Sequence, residues 1–162
     1  MSTAIPKRRA TRAELLAELG KVGREHSDAT VIFHGTVSRL VKLNPTDYKT
    51  LGVLQRLGPL PAGEIARHTG LATASVTNLL DRLERKGFVR RTYDPQDRRR
   101  VLAAPVAAKV EEIRGLLAST SQSVARLFDG YSESELALIA DFLARNAQRL
   151  RAETAKLERT AP

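Results

Sequence analysis

A chain of 162 residues is long enough to bury a core without cross-links. It has no cysteine, which excludes disulfides, thiol redox sensing, cysteine nucleophiles and cysteine zinc sites and fits a reducing cytoplasm. Lys and Arg number 27 against 18 Asp and Glu, a formal net charge of +9 that points to a polyanionic partner.

The basic start MSTAIPKRRATR is expected to be a disordered tail over residues 1–10. It is not followed by an apolar run of signal-peptide length, and no stretch reaches the roughly 18 apolar residues of a membrane span. The expectation is a soluble protein of the cytoplasm with no membrane partner. Residues 11–43 read as helical through Leu15, Leu16, Leu19, Val31, Ile32, Val37, Leu40 and Val41, with a break or kink near residue 20 where Gly20 and Gly23 fall. Asn44-Pro45 supplies an N-cap and a proline at the first helical position, and Gly58-Pro59 ends the short helix carrying Leu51, Leu54 and Leu57.

Residues 62–86 predict two helices joined by a tight turn. Val76, Leu79, Leu80 and Leu83 give the second an apolar face at i, i+3, i+4 and i+7. Ala66 is small where the helices would cross, Gly70 suits a left-handed turn, and Val76 plugs the angle between them. Gly87 caps the second helix. Phe88 to Thr92 then reads as a strand, Asp94-Pro95 as a turn and Arg100 to Ala103 as the returning strand. A helix-turn-helix followed directly by a β-hairpin is a winged helix, so the expected fold class is mainly α with a small hairpin wing.

Beyond Pro105, Val106, Val110, Ile113, Leu116, Leu117, Val124, Leu127 and Phe128 predict one long helix ending at Asp129-Gly130. Ser132 to Glu135 is a capping box opening the last helix. There Leu136, Leu143, Leu150 and Leu157 recur every seven residues, with Ile139 and Phe142 between them. A helix over 133–158 is about 40 Å long, more than a single small domain covers, which implies a partner helix. Packing on the helix at 106–128 is the intramolecular alternative.

The basic residues are not spread evenly. Residues 82–100 hold Arg82, Arg85, Lys86, Arg90, Arg91, Arg98, Arg99 and Arg100 against only Glu84, Asp94 and Asp97. Like charges so crowded repel unless something outside neutralises them. Arginines at a hairpin tip beside a recognition helix suit the minor groove of double-stranded DNA. Asp97 is expected to hold the Arg99 guanidinium by a bidentate pair. Arg98 and Arg100 are expected on phosphates, together with Arg82, Arg85, Arg90 and Arg91. Recognition helices read bases with their N-terminal half, which makes Thr73, Ser75, Thr77 and Asn78 the expected readers and lets Ala74 meet a thymine methyl. Asn78 matches the N6/N7 edge of adenine. Thr73 alternatively serves only as an N-cap.

At these residues the sequence resembles the MarR family of bacterial transcription regulators. The resemblance lies in Gly63-Glu64-Ile65-Ala66 through Gly70-Leu71, in SVTNLLDRLERKGFVRR and in DPQDRRRV, and covers about residues 44–103. It implies a triangular homodimer whose N- and C-terminal helices, here 11–43 and 105–162, form the dimer interface, with a DNA-binding domain at 44–104. It also implies a pseudo-palindromic operator and repression relieved by a small-molecule effector. The family's wing arginine falls on Arg99 and its supporting acid on Asp97. The recognition-helix position often held by arginine falls on Asn78, which favours adenine over guanine there. Arg100 stands where small or apolar residues are common, and AAPVAAKV replaces a usual Leu-Thr helix start, with Pro105 as the expected first helical residue. The family's effector pocket falls near Phe33, His34, Val37 and Tyr48, all of which ordinary core or interface packing also explains.

Other classes find less support. His26, Asp28 and His34 are close in sequence, but residues i and i+2 lie on different faces of a helix, so no metal site is expected. His68 reads as a helix-end residue. With no phosphate loop, nucleophile elbow or paired carboxylates, neither catalysis nor a cofactor is expected. The alternative to a sequence-specific regulator is a nonspecific DNA-binding architectural protein, which would bind any duplex alike and lose affinity steeply with salt.

Overall fold

The computed structural model of the protein describes residues 10–160. The tail expected over 1–10 lies outside the described residues, Ala10 excepted. The chain divides into two compact units with the boundary between Lys49 and Thr50.

The first unit is built on α1 (Arg12–Leu40), opened by a capping box in which Thr11 Oγ1 accepts the Glu14 N–H and the Glu14 carboxylate accepts the Thr11 N–H at 2.7 Å. The break expected near Gly20 and Gly23 is absent, since α1 runs unbroken for 29 residues. Two glycines cost a helix about 1 kcal/mol each relative to alanine, too little to interrupt a ladder this long. After α1 the chain turns through Lys42 at φ 55°, and the Leu43 N–H donates to the Ser38 carbonyl at 2.9 Å. The next helix, α2 (Pro45–Leu57), starts as the sequence predicts: Asn44 Oδ1 accepts the Asp47 N–H at 2.7 Å, and Pro45 takes the first helical position. The unit boundary falls inside α2.

The second unit continues through β1 (Leu60–Pro61), α3 (Ala62–Thr69), α4 (Thr73–Arg85), β2 (Val89–Tyr93), β3 (Val101–Pro105), α5 (Ala107–Leu116), α6 (Ala118–Phe128) and α7 (Glu133–Thr160). Its core contains Leu51, Leu54, Ile65, Val76, Leu79, Leu83, Val89 and Ala103, each at most 2% exposed. Helix α3 packs on α4, β1 and β3, and α4 packs on β2. Two glycines make these junctions. Gly70 lies at φ 73° between α3 and α4, and Gly87 at φ 75° lets the chain leave α4 for β2, both in the left-handed region that other residues enter at a cost.

The sheet has the order β1-β3-β2, all antiparallel, with Arg91 opposite Ala103 and Leu60 also paired to Ala103. Strand β1 is an addition to the expected hairpin. A two-residue segment of Leu60 and a proline, preceded by Pro59, carries no strand signal, and Pro61 fits only because β1 is an edge. Three helix starts and joins also differ from expectation. Thr73 is the first residue of α4, and its N-cap position is Ala72, which offers no side-chain bond. Pro105 ends β3 opposite Val89 instead of opening a helix; Val106 is the N-cap of α5, and its N–H donates to the Phe88 carbonyl at 2.9 Å. The single helix expected over 106–128 is two, α5 and α6, stepped at Leu117 (φ −101°, ψ 8°). Gly115 and the Ser119-Thr120-Ser121 run lower helix propensity on both sides of that step.

Helix α7 opens with the expected capping box: the Ser132 N–H donates to the Glu135 carboxylate at 2.8 Å, and Ser132 Oγ accepts the Glu135 N–H at 3.4 Å. The Ser132 hydroxyl also donates to the Glu135 carboxylate, at 2.7 Å, and that bond first and the Ser132 N–H second pull the Glu135 pKa below the usual carboxylate value. No residue of α7 is buried. Among the described residues, no helix is long and apolar enough to cross a membrane.

Candidate nucleic-acid interface

Helix α4 is divided lengthwise. Val76, Leu79, Leu80 and Leu83 face the core, while Thr73, Ala74, Ser75, Thr77, Asn78 and Arg85 are exposed and Arg82 is half-buried. Thr77 Oγ1 donates to the Thr73 carbonyl at 3.2 Å, which leaves its lone pairs facing outward as acceptors. The Arg85 Nε donates to the Asp81 carbonyl at 3.3 Å, drawing that side chain back along its own helix. The Asn78 side chain is exposed and not engaged by the hydrogen bonds that hold these neighbours.

The wing tip, residues 94–100, is closed by the chain itself. The Asp94 N–H donates to the Arg100 carbonyl and the Arg100 N–H to the Asp97 carbonyl, both at 2.9 Å. The two aspartates then act in the same way: Asp94 Oδ1 accepts the Gln96 N–H at 2.9 Å, and Asp97 Oδ1 accepts the Arg99 N–H at 3.0 Å. A short acid reaches the amide two residues on more readily than the far end of a long side chain. Asp97 therefore orients the backbone at Arg99, where a pair with the guanidinium was expected. Asp94 is the acid that meets a wing arginine head group, Arg100, at 3.5 Å. Arg98 and Arg99 are exposed.

The base of the wing differs. On β2, the Arg91 guanidinium lies between Asp81 and Glu84 of α4, with one nitrogen on each carboxylate. Glu84 also accepts the Arg91 backbone N–H at 3.0 Å. The Asp81 hydrogen bond is the largest cause of the raised Arg91 pKa, with Glu84 adding to it. Arg90 and Arg91 were expected to behave alike, as phosphate contacts. Both are exposed, but the Arg91 guanidinium is committed to two acids. The sequence carries a signal for this arrangement, two acids three apart on a helix that leads into an arginine-bearing strand, but it does not say which arginine they meet.

In the first unit, Phe33, His34 and Tyr48 come together, with ring centroids 5.3 Å apart for Phe33 and His34 and 6.1 Å for His34 and Tyr48. Val37 is buried. His34 Nδ1 is buried with no hydrogen-bond partner. Its pKa is lowered by burial and, to a lesser extent, by the Lys49 charge, and burial raises that of Tyr48. The second unit has a cleft of about 340 Å³ where α3 ends against α7, lined by Arg67, His68, Gly70, Leu150, Arg151 and Glu158 among others. None of the four residues expected around an effector lines it.

The family model of the MarR family matches residues 43–101. The chain is 39% identical over 150 residues to the uncharacterized HTH-type transcriptional regulator YcgE of Bacillus subtilis (strain 168), a match that spans 93% of this chain and 97% of that one. Among solved structures, a MarR family protein from Bacillus stearothermophilus matches with a TM-score of 0.65 at 23% identity over 87% of this chain and 99% of that one. A mutant of S. aureus MepR bound to an oligodeoxyribonucleotide matches with a TM-score of 0.55 at 22% identity, covering 81% and 96% of the two chains. At these identities the two structures speak for the fold.

Proposed function

As the chain belongs to the MarR family of HTH-type transcriptional regulators, we propose that it binds double-stranded DNA sequence-specifically as a homodimer on a pseudo-palindromic operator, and acts as a ligand-responsive repressor in the cytoplasm, on the nucleoid. The observation that carries this reading is the pairing of the exposed wing-tip arginines, Arg98 and Arg99, with a recognition helix whose N-terminal half exposes Thr73, Ala74, Ser75, Thr77 and Asn78. The oligonucleotide-bound MepR mutant, a protein of the same fold, lends support.

In this reading Asn78 reads adenine, Thr73, Ser75 and Thr77 contact neighbouring base edges, and Ala74 meets a thymine methyl. Arg99 enters the minor groove, with its backbone direction set by Asp97. Arg82, Arg85, Arg90, Arg98 and Arg100 neutralise phosphates. Residues 44–104 form the DNA-binding domain, and 11–43 and 105–162 carry the dimer interface. The dimer is supported by exposed apolar side chains on both long helices, among them Leu15, Leu19, Val31 and Ile32 on α1 and Leu138, Phe142, Leu150 and Leu157 on α7. An effector is assigned to the Phe33, His34, Val37 and Tyr48 region, where the unpartnered His34 Nδ1 offers a polar handle among apolar groups.

The test is Arg99→Ala, measured by fluorescence anisotropy on a duplex alongside sedimentation of the free protein. The reading expects duplex binding to fall while the dimer persists. Unchanged binding by a variant of unchanged assembly removes the wing from the interface.

A further inference from the structure

Arg91 belongs to the most basic stretch of the chain, yet its donors point at the protein and not outward. The guanidinium bridges Asp81 and Glu84, which stand three residues apart on α4, and the Glu84 carboxylate turns back to take the Arg91 N–H at 3.0 Å. That N–H is on the outer side of β2, an edge strand whose only sheet partner is β3 among the described strands. Glu84 therefore closes a sheet edge while Arg91 ties strand to helix. The arrangement joins the two elements that bear the expected DNA contacts: Asp81 follows Asn78 by one turn of α4, and Arg91 is followed along β2 by the wing tip.

Charge makes the tie consequential. Asp81 and Glu84 are the acids of α4, both partly exposed, their side chains at 48% and 38%. Carboxylates at that place repel a phosphate backbone when bare, and a forked guanidinium neutralises two of them at once, which a lysine ammonium does less well. We infer that Arg91 is a positioning residue that acts on DNA binding through Asp81 and Glu84, masking both carboxylates and locking the wing to the recognition helix, rather than a phosphate contact in its own right. The inference rests on the duplex-binding reading above. It removes one arginine from the expected phosphate contacts and adds Asp81 and Glu84 to the residues on which binding depends.

A double-mutant cycle tests it. Duplex affinity is measured by anisotropy at low and moderate salt for the full chain, for Arg91→Ala, for the pair Asp81→Asn with Glu84→Gln, and for the triple variant. Arg91→Ala should weaken binding about tenfold at low salt in the otherwise natural chain, because two acids are unmasked, and change it little when both acids are already neutral. Arg91→Gln, which keeps a long polar side chain, should give the same pattern, and Arg91→Lys should fall between. A loss on removing Arg91 that is equally large with and without the two acids overturns the inference and returns Arg91 to the phosphate contacts. Failure of the natural chain to bind any duplex is a different result, and it overturns the duplex reading together with this one.

Discussion

The winged helix and the long helices that flank it spend their apolar residues in opposite ways. In α4, Val76, Leu79, Leu80 and Leu83 are all at most 4% exposed. In α7, Leu138, Phe142, Leu143, Leu150 and Leu157 are all more than half exposed, and α1 repeats this with Leu15, Leu16, Leu19, Val31 and Ile32. Both regions have helical apolar periodicity, so periodicity alone does not separate a face that is satisfied within the chain from one that is not. The winged helix buries its apolar face in its own core, whereas α1 and α7 leave theirs exposed. We propose that a second copy of the chain covers the α1 and α7 faces.

The largest effect is expected where an unsatisfied face is charged. Leu143→Glu together with Leu150→Glu places two carboxylates on α7 and should raise the dimer dissociation constant by about a hundredfold or more, as loss of central interface anchors does. Sedimentation over a concentration series reads this, and an unchanged dimer would remove α7 from the interface. Next is Leu79→Ala in the winged helix, expected to cost about 2–5 kcal/mol of stability by opening a cavity at a side chain that is 1% exposed. Thermal or denaturant unfolding measures it at fixed protein concentration, since association contributes to apparent stability. A loss well under 1 kcal/mol would mean that this core is not well packed.

Gly70→Ala should have a smaller effect. At φ 73° an alanine is strained by about 1–2 kcal/mol, and its Cβ would come within 3.1 Å of Glu158 Oε1. The same substitution at Gly23, with nothing within 4 Å and an ordinary helical backbone, should stabilise α1 by up to about 1 kcal/mol. Opposite signs at two glycines distinguish a turn requirement from a helix that merely tolerates one.

The smallest effect is a pH dependence at His34. Its pKa is depressed in the folded chain, by burial first and the Lys49 charge second, so the unfolded chain binds the proton more readily. Stability from this group is fully present above the ordinary histidine value and is lost as pH falls through the depressed one. Unfolding between pH 8 and pH 5 should show a decline that becomes shallower in His34→Gln. An identical decline in both would place the titrating group elsewhere.

Much of this was legible in the sequence, for reasons that differ by residue. The α4 core face, the Gly70 and Gly87 turns, the Asn44-Pro45 start and the Ser132 capping box are local signals, each decided within a few residues of the chain. Strand β1 was not legible because Leu60 and Pro61 become a strand only through their partners in β3. The expected break in α1 does not occur because the cost of Gly20 and Gly23 is small against the hydrogen-bond ladder of a 29-residue helix. At the candidate interface the exposure of Thr73, Ala74, Ser75, Thr77 and Asn78 follows from periodicity, but the partners of the acids do not. Asp97, expected on the Arg99 head group, is bonded to its amide, and Arg91, expected among the outward arginines, is bonded to Asp81 and Glu84. Which of several neighbouring arginines an acid meets is a matter of three-dimensional reach, and sequence spacing does not determine it.

We propose that two copies of this chain read a defined DNA sequence. Selection from random duplex DNA with the purified full chain at moderate salt, followed by sequencing of the retained fraction, tests it most directly. The expected result is an enriched two-fold-symmetric motif whose half-sites lie about 34–36 Å apart, one helical turn, with adenine at a position that relaxes in Asn78→Ala. Retention of duplex with no enriched sequence would contradict it and identify a nonspecific DNA-coating protein.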